Sequence, residues 1–242
     1  MTTAKLKGSK KPAAPEGLDL SELRAAFDSL KGAAGLRERV ERASSYFVGR
    51  PYLSNPLCGS RHAREVFTVS LAAFDCVTYV ETVLALAFAK SPADFTDTLR
   101  RIRYDRGKID WARRNHYMTR WITSNEDAGF IKDLTTGAGT VSRTRTLAVV
   151  EGLAPEKVIF RCIPADSLHV VEDRAETGDI ILFVSPRRSL DVFHIGFAVL
   201  TGGPICLRHA SRSHGRVVDE PLTEFINNHS LSGYILVRPQ EI

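Results

Sequence analysis

Residues 76–89, CVTYVETVLALAFA, constrain the fold more than any other segment. Val80, Val83, Leu84 and Ala87 recur at helical spacing, and few positions on any side are polar. A helix that is apolar nearly all round has to be enclosed by protein. Its start is sharply marked. A mostly apolar run, Val66–Ala73, leads into Phe74, and Asp75 is a residue type that caps helix N-termini. Cys76 then falls in the first turn, and Lys90 closes the helix.

Other helices cluster before and just after this segment. Asp19 followed by Glu22 resembles a capping box, with Leu23, Ala26, Phe27 and Leu30 at helical spacing. A second helix is expected over Leu36–Phe47. A third opens at Ser91-Pro92 and runs to about Tyr104, and another covers Tyr117–Asn125. Gly49–Arg64, with Pro51, Asn55, Pro56 and Gly59, reads as a long irregular loop. The later part alternates like β structure. Six strands are expected, over Arg145–Val150, Asp179–Val184, Val192–Leu200, Ile205–Ser211, Arg216–Asp219 and Tyr234–Val237. A single short helix, Pro221–Asn228, interrupts them. Helices first and strands later predict an α+β fold with a largely antiparallel sheet. The expected organisation is a basic tail over residues 1–17 and one catalytic domain over 18–242, with an insert at about 105–140.

Composition narrows the function. The chain has 242 residues, 43% hydrophobic and 25% charged, which is ordinary for a globular protein. Its net charge of +5 lies mostly in Lys5, Lys7, Lys10 and Lys11; without them 29 basic residues face 28 acidic ones. A nucleic-acid partner is therefore not expected. Arg100–Arg120 is locally basic, with eight basic residues against two acidic, and reads either as a solvated surface or as an anion-binding stretch. The longest apolar run near the middle, Val83–Ala89, is far too short to span a membrane. The first twenty residues contain no apolar core of a Sec-type signal peptide.

Four cysteines, Cys58, Cys76, Cys162 and Cys206, include no CxxC pair, so no structural zinc site is expected. At a helix start, Cys76 has an N–H without an intrahelical partner and a dipole expected to favour its thiolate. In Val192–Ala198, alternation places His194, Gly196 and Ala198 on one face and Phe193, Ile195 and Phe197 on the other. The following strand, after the Gly202-Gly203-Pro204 turn, carries His209, which an antiparallel pairing can bring beside His194. A thiol, a histidine base and a second polar group are the parts of nucleophilic catalysis.

These residues resemble a known family. Phe74-Asp75-Cys76-Val77-Thr78-Tyr79-Val80-Glu81 and Asp191-Val192-Phe193-His194-Ile195-Gly196 look like the Cys and His motifs of NlpC-type, papain-like cell-wall cysteine peptidases. Gly178-Asp179-Ile180-Ile181 and Arg208-His209-Ala210-Ser211 fit around them. More narrowly, Pro51-Tyr52, Arg103-Tyr104, Gly107, Arg114-Asn115-His116-Tyr117, Trp121-Ile122 and Asn125 resemble a branch long catalogued as a domain of unknown function and described as N-acetylmuramoyl-L-alanine amidase-like. The resemblance spans roughly residues 46–239. The Asp-Cys-Ser-Gly of the wider superfamily is replaced by Asp75-Cys76-Val77-Thr78, which departs from the pattern of dipeptide-end specificity.

The resemblance implies Cys76 as nucleophile, His194 as general base and acid, and His209 as its orienting partner, with no cofactor or metal. Tyr52, Asp75, Arg114, His116 and Tyr117 are candidate substrate contacts. Asp75 has a second reading, as helix cap alone, and His116-Tyr117 has one as a structural pair holding the insert. Glu81 reads as a buried hydrogen-bonding group. The implied partner is peptidoglycan or its muropeptide fragments, and the implied location is the cell envelope, periplasm or exterior, reached after signal removal or by another export route. Three alternatives remain: a stem-peptide endopeptidase, an acyltransferase to a lipid or amine, and a non-catalytic cell-wall-binding module.

Overall fold

The computed structural model describes residues 16–241. The expected basic tail falls, except for its last two residues, outside that range. Helices α1 (Leu20–Ser29) and α2 (Leu36–Tyr46) come first, followed by a short hairpin, β1 (Cys58–Ser60) and β2 (Ala63–Val66). The central helix α3 (Cys76–Phe88) leads to α4 (Phe95–Arg103), α5 (Met118–Asp127) and β3 (Ile131–Asp133). Then come β4 (Val141–Leu147), β5 (Glu156–Pro164), α6 (Leu168–Arg174), β6 (Ile180–Val184), β7 (Val192–Val199), β8 (Cys206–Ser211), β9 (Arg216–Pro221), α7 (Leu222–Asn227) and β10 (Gly233–Pro239).

The large sheet runs β4-β5-β10-β6-β7-β8-β9, with β3 added against β10. Its pairings are antiparallel. This is the expected α+β arrangement with an antiparallel sheet, and the Cys-bearing helix packs on that sheet. Val80, Val83, Leu84, Ala85 and Leu86 of α3 are completely buried. Each large apolar side chain enclosed this way contributes about 1.5–3 kcal/mol. They join Ile195 and Phe197 of β7 in the main core, while α7 covers the opposite sheet face through Leu222 and Phe225. Tyr79 pins α3 to α2 by donating to the Ser44 carbonyl at 2.9 Å. Among the described residues, no helix is long and apolar enough to cross a membrane.

Several expectations are corrected. The expected loop at Gly49–Arg64 contains β1 and enters β2. The third helix starts at Phe95 after an Asp94 cap rather than at Pro92. The strand expected at Arg145–Val150 lies earlier, at Val141–Leu147, and pairs with β5, which the pattern hid. In β5, Val158-Ile159-Phe160 breaks the two-residue period because Ile159 faces solvent at 72% exposure. Helix α6 was hidden because Val171 is its sole buried residue.

Candidate active site

Helix α3 begins as its capping chemistry demands. Asp75 Oδ1 accepts from the Thr78 N–H at 2.8 Å, and Thr78 Oγ1 accepts from the Asp75 N–H at 3.1 Å. This reciprocal box fixes the first turn and presents Cys76 at its end. The first main-chain helical bond is Tyr79 N–H to Asp75 O, which leaves the N–H groups of Cys76 and Val77 free to face the sulfur.

Opposite the turn, β7 and β8 pair only through Phe197–Val199 and Cys206–Arg208. Just before that ladder on β7, the N–H of Ile195 faces the Cys76 sulfur. The thiol is thereby set against the main chain of the residue that follows His194. A β-bulge at the start of β7 separates the Val184–Val192 and Phe183–His194 pairs. It corrects the face assignment: Phe193 packs on the α7 side with His194, while Ile195 and Phe197 pack against α3. The extra residue of the bulge reverses the alternation at that point.

The two histidines meet directly. His194 Nε2 lies 2.7 Å from His209 Nδ1, and His209 Nε2 lies 3.0 Å from Glu220 Oε2. Ionised Glu220 can only accept, so His209 carries its proton on Nε2 and accepts at Nδ1. His194 then carries its proton on Nε2, leaving Nδ1 as the bare base. The relay therefore selects a tautomer as well as an orientation. Gly196 permits this approach: a Cβ there would lie 2.9 Å from His209 Cβ and 3.0 Å from the Arg208 carbonyl oxygen. Phe225 packs against both rings, and Asp191 fastens the strand entrance by accepting from Thr119 N–H and Oγ1 at 2.7 and 2.8 Å.

Electrostatics correct the expected ready-made thiolate. Burial, followed by the neighbouring Asp75 charge, pushes the Cys76 thiol up to about 12. The N–H groups of Ile195, Cys76 and Val77 pull the other way and are outweighed. Burial, with His209 and His229 adding repulsion, holds His194 well below the ordinary histidine range. Burial, with His214 and His229 behind it, takes His209 down to about 4. The resting thiol and the resting imidazole are both neutral, so the sulfur requires a base rather than a dipole alone.

The candidate substrate contacts divide into two groups. Tyr52 and Asp75 are at the thiol: the Tyr52 main chain bridges to Phe74, and its hydroxyl is pushed up by burial and then by Cys76 and Asp75. Arg114, His116 and Tyr117 are engaged elsewhere. Arg114 reaches Glu65 at 3.2 Å, and His116 Nε2 donates to the Trp111 carbonyl at 2.8 Å. The buried Tyr117 hydroxyl accepts from Val149 N–H and Val150 N–H at 3.0 and 3.1 Å. Glu81 forms a buried ion pair with Arg103, whose Nε lies 2.6 Å away. Sequence reasoning missed Glu220 because it ended the strand at Asp219, one residue short. All four cysteines are free thiols, and no cluster of metal-binding side chains occurs among the described residues.

A helix-start thiol faces a strand that carries a histidine relay, in a helix-on-sheet α+β fold. The family model described as AmiA-like, N-acetylmuramoyl-L-alanine amidase-like, matches residues 42–233, and the chain belongs to this family. An N-acetylmuramoyl-L-alanine amidase from Bacteroides uniformis has a similar structure, with 23% identity, a TM-score of 0.73, and coverage of 86% of this chain and 99% of that one. A Legionella pneumophila protein is similar at 22% identity and TM-score 0.79, covering 91% and 94% of the two chains. A Bacteroides fragilis protein described as a xylanase is 26% identical, with TM-score 0.68 and coverage of 81% and 98%. No curated protein matches the sequence.

Proposed function

We propose that this protein hydrolyses an amide of peptidoglycan through a thioester on Cys76, cutting between the muramic acid lactyl carbonyl and L-alanine. Family membership supports amidase-type hydrolysis of cell-wall material in general. The observation that carries the finer reading is the His194–His209–Glu220 relay beside the Cys76 turn.

His194 Nδ1 takes the thiol proton as the sulfur attacks the carbonyl carbon and a C–S bond forms. The tetrahedral oxygen gains negative charge, and the free N–H of Cys76 is available to stabilise it. Collapse breaks the C–N bond, and imidazolium His194 gives its proton to the departing amine. Water then attacks the thioester, His194 takes the water proton, and the C–S bond breaks to restore the thiol. Glu220 and His209 keep Nδ1 aimed at the sulfur and, in the resting tautomer, free of a proton until it takes the thiol's. Tyr52, beside the thiol, is the nearest candidate to contact the scissile region. Glycoside cleavage needs two carboxyl groups flanking the bond, whereas Asp75 caps a helix and Glu220 holds His209.

Digestion of purified peptidoglycan, with mass spectrometry of the soluble products, tests the reading. Stem peptides beginning with L-Ala, absent with Cys76→Ala, are expected. Cleavage within the stem would transfer the mechanism to an endopeptidase. Absence of any Cys76-dependent product would overturn peptidoglycan hydrolysis and leave acyl transfer or binding.

A further inference from the structure

The arginines of residues 100–120 and those around β4 are held very differently. Arg100 pairs with Asp97, Arg103 with Glu81, Arg113 with Asp105, Arg114 with Glu65 and Arg120 with Glu156. Five of the segment's eight cations are therefore paired with acids, most of them from outside it. Arg143 and Arg145 stand two residues apart on one face of β4, half-buried, and neither forms an ion pair among the described residues. Their Nε atoms are buried without a partner. Their terminal nitrogens reach carbonyl oxygens, Arg143 to Ser232 at 3.5 Å, and Arg145 to Thr144 at 3.2 Å and Ser185 at 3.4 Å, and Arg143 also approaches the Cys162 thiol.

A half-buried guanidinium normally has an anionic partner, because burial without one is costly. Here the polar neighbour beneath the pair is the buried Cys162 thiol, which burial pushes upward against the pull of Arg143 and Arg145, so it offers them no anion. Exposed Arg187 and Arg188, on the Ser185–Leu190 loop, add two more cations that form no ion pair among the described residues. That loop is tied to the end of β4 by the Ala148 N–H bond to Ser189 O.

This corner adjoins the candidate active site. Ser185 follows Val184, which pairs with Val192, and Phe183 pairs with His194. Val141, Phe160 and Cys162, around the arginine pair, pack into the same core as Val192, Ile195 and α3. The pair therefore stands on the sheet face that carries the Cys76 helix.

We infer that Arg143 and Arg145, with Arg187 and Arg188 at the rim, form a carboxylate-binding subsite for the acidic peptide part of the substrate. The inference rests on the proposed amidase reading for the identity of that peptide. A planar guanidinium pairs two-to-two with a carboxylate, so adjacent arginines suit a peptide with two carboxyl groups.

The test uses Cys76→Ala protein titrated calorimetrically with the dicarboxylate dipeptide N-acetyl-Ala-Glu and with its doubly amidated form. The dicarboxylate is expected to bind about tenfold or more tightly, and Arg143→Gln or Arg145→Gln to remove about tenfold each. Arg145→Lys should keep only part of the binding, because the fork is lost. Without ligand, the Gln variants should melt at or above the parent temperature, since an unpaired cation has been removed; a merely structural arginine would give a lower one. Equal affinity for the two dipeptides, or unchanged affinity in the Gln variants, would overturn the subsite. Peptidoglycan digestion separates the two claims. Cys76-dependent products with KM unchanged in the Gln variants would overturn the subsite alone. Arginine-dependent dipeptide binding without any such products would retain the anion site and overturn the amidase reading.

Discussion

Two regions of this molecule carry a histidine beside a second polar side chain, and the structure treats them in opposite ways. At the α3–β7 corner, His194 is linked to His209 and Glu220, its Nδ1 takes no hydrogen bond among the described residues, and the next residue's N–H faces the Cys76 thiol. In the insert, His116 closes onto the Trp111 carbonyl and Tyr117 holds the Val149 and Val150 N–H groups. Burial takes both His116 and His209 down to about 4, so a depressed basicity does not distinguish them. What differs is whether the hydrogen-bond chain ends on a main-chain carbonyl or leads outward to an unsatisfied base. Perturbed titration marks candidates, and connectivity decides between them.

Substitutions at the corner should have the largest effects. Cys76→Ala should reduce kcat/KM by roughly 10⁴-fold or more while leaving the melting temperature nearly unchanged. Retention of peptidoglycan cleavage would end the distinction between the two regions. Glu220→Gln should lower kcat about 10- to 100-fold with little change in KM, because the amide can donate to His209 and release the selected tautomer. Loss of KM alone would mark Glu220 as a binding group instead.

Insert substitutions should act on stability. Tyr117→Phe leaves two main-chain N–H groups without their acceptor and should cost about 1–3 kcal/mol in denaturant unfolding, with kcat preserved. A selective fall in kcat would return Tyr117 to the catalytic region.

The smallest effect separates the regions by pH. A histidine whose folded value is about 4 against an ordinary 6.5 takes up protons first in the unfolded chain. Its contribution to stability is complete above 6.5 and is lost as pH falls through 4. His116→Gln should weaken the acid-induced fall in melting temperature across that window. The corner should show a different signature: alkylation of Cys76 by iodoacetamide should be slow at neutral pH and accelerate toward alkaline pH, following its raised thiol.

How far these regions could be read from the sequence follows from the range of their interactions. The helix starting at Cys76 was legible because one apolar pattern and one local cap specify it. The bulge at Phe193 was not, since it depends on how β6 and β7 register rather than on β7 alone. Glu220 was hidden for a related reason: its role appears only when β9 lies against β8, with His209 opposite Val218. The thiol's basicity was misjudged because the helix N-terminus is visible in sequence, whereas the depth of burial and the pressure of Asp75 are tertiary. The unpaired state of Arg143 and Arg145 likewise emerges only once the acids that neutralise the other arginines are located.

The most direct test of the central claim is intact-mass spectrometry of rapidly quenched reactions with a muropeptide, run beside product analysis for Cys76→Ala. The account predicts an adduct with the mass of the muramyl acyl group, mapped to the peptide containing Cys76, and no product from the variant. Release of the same products by Cys76→Ala, or an adduct mapped to a different residue, would contradict it.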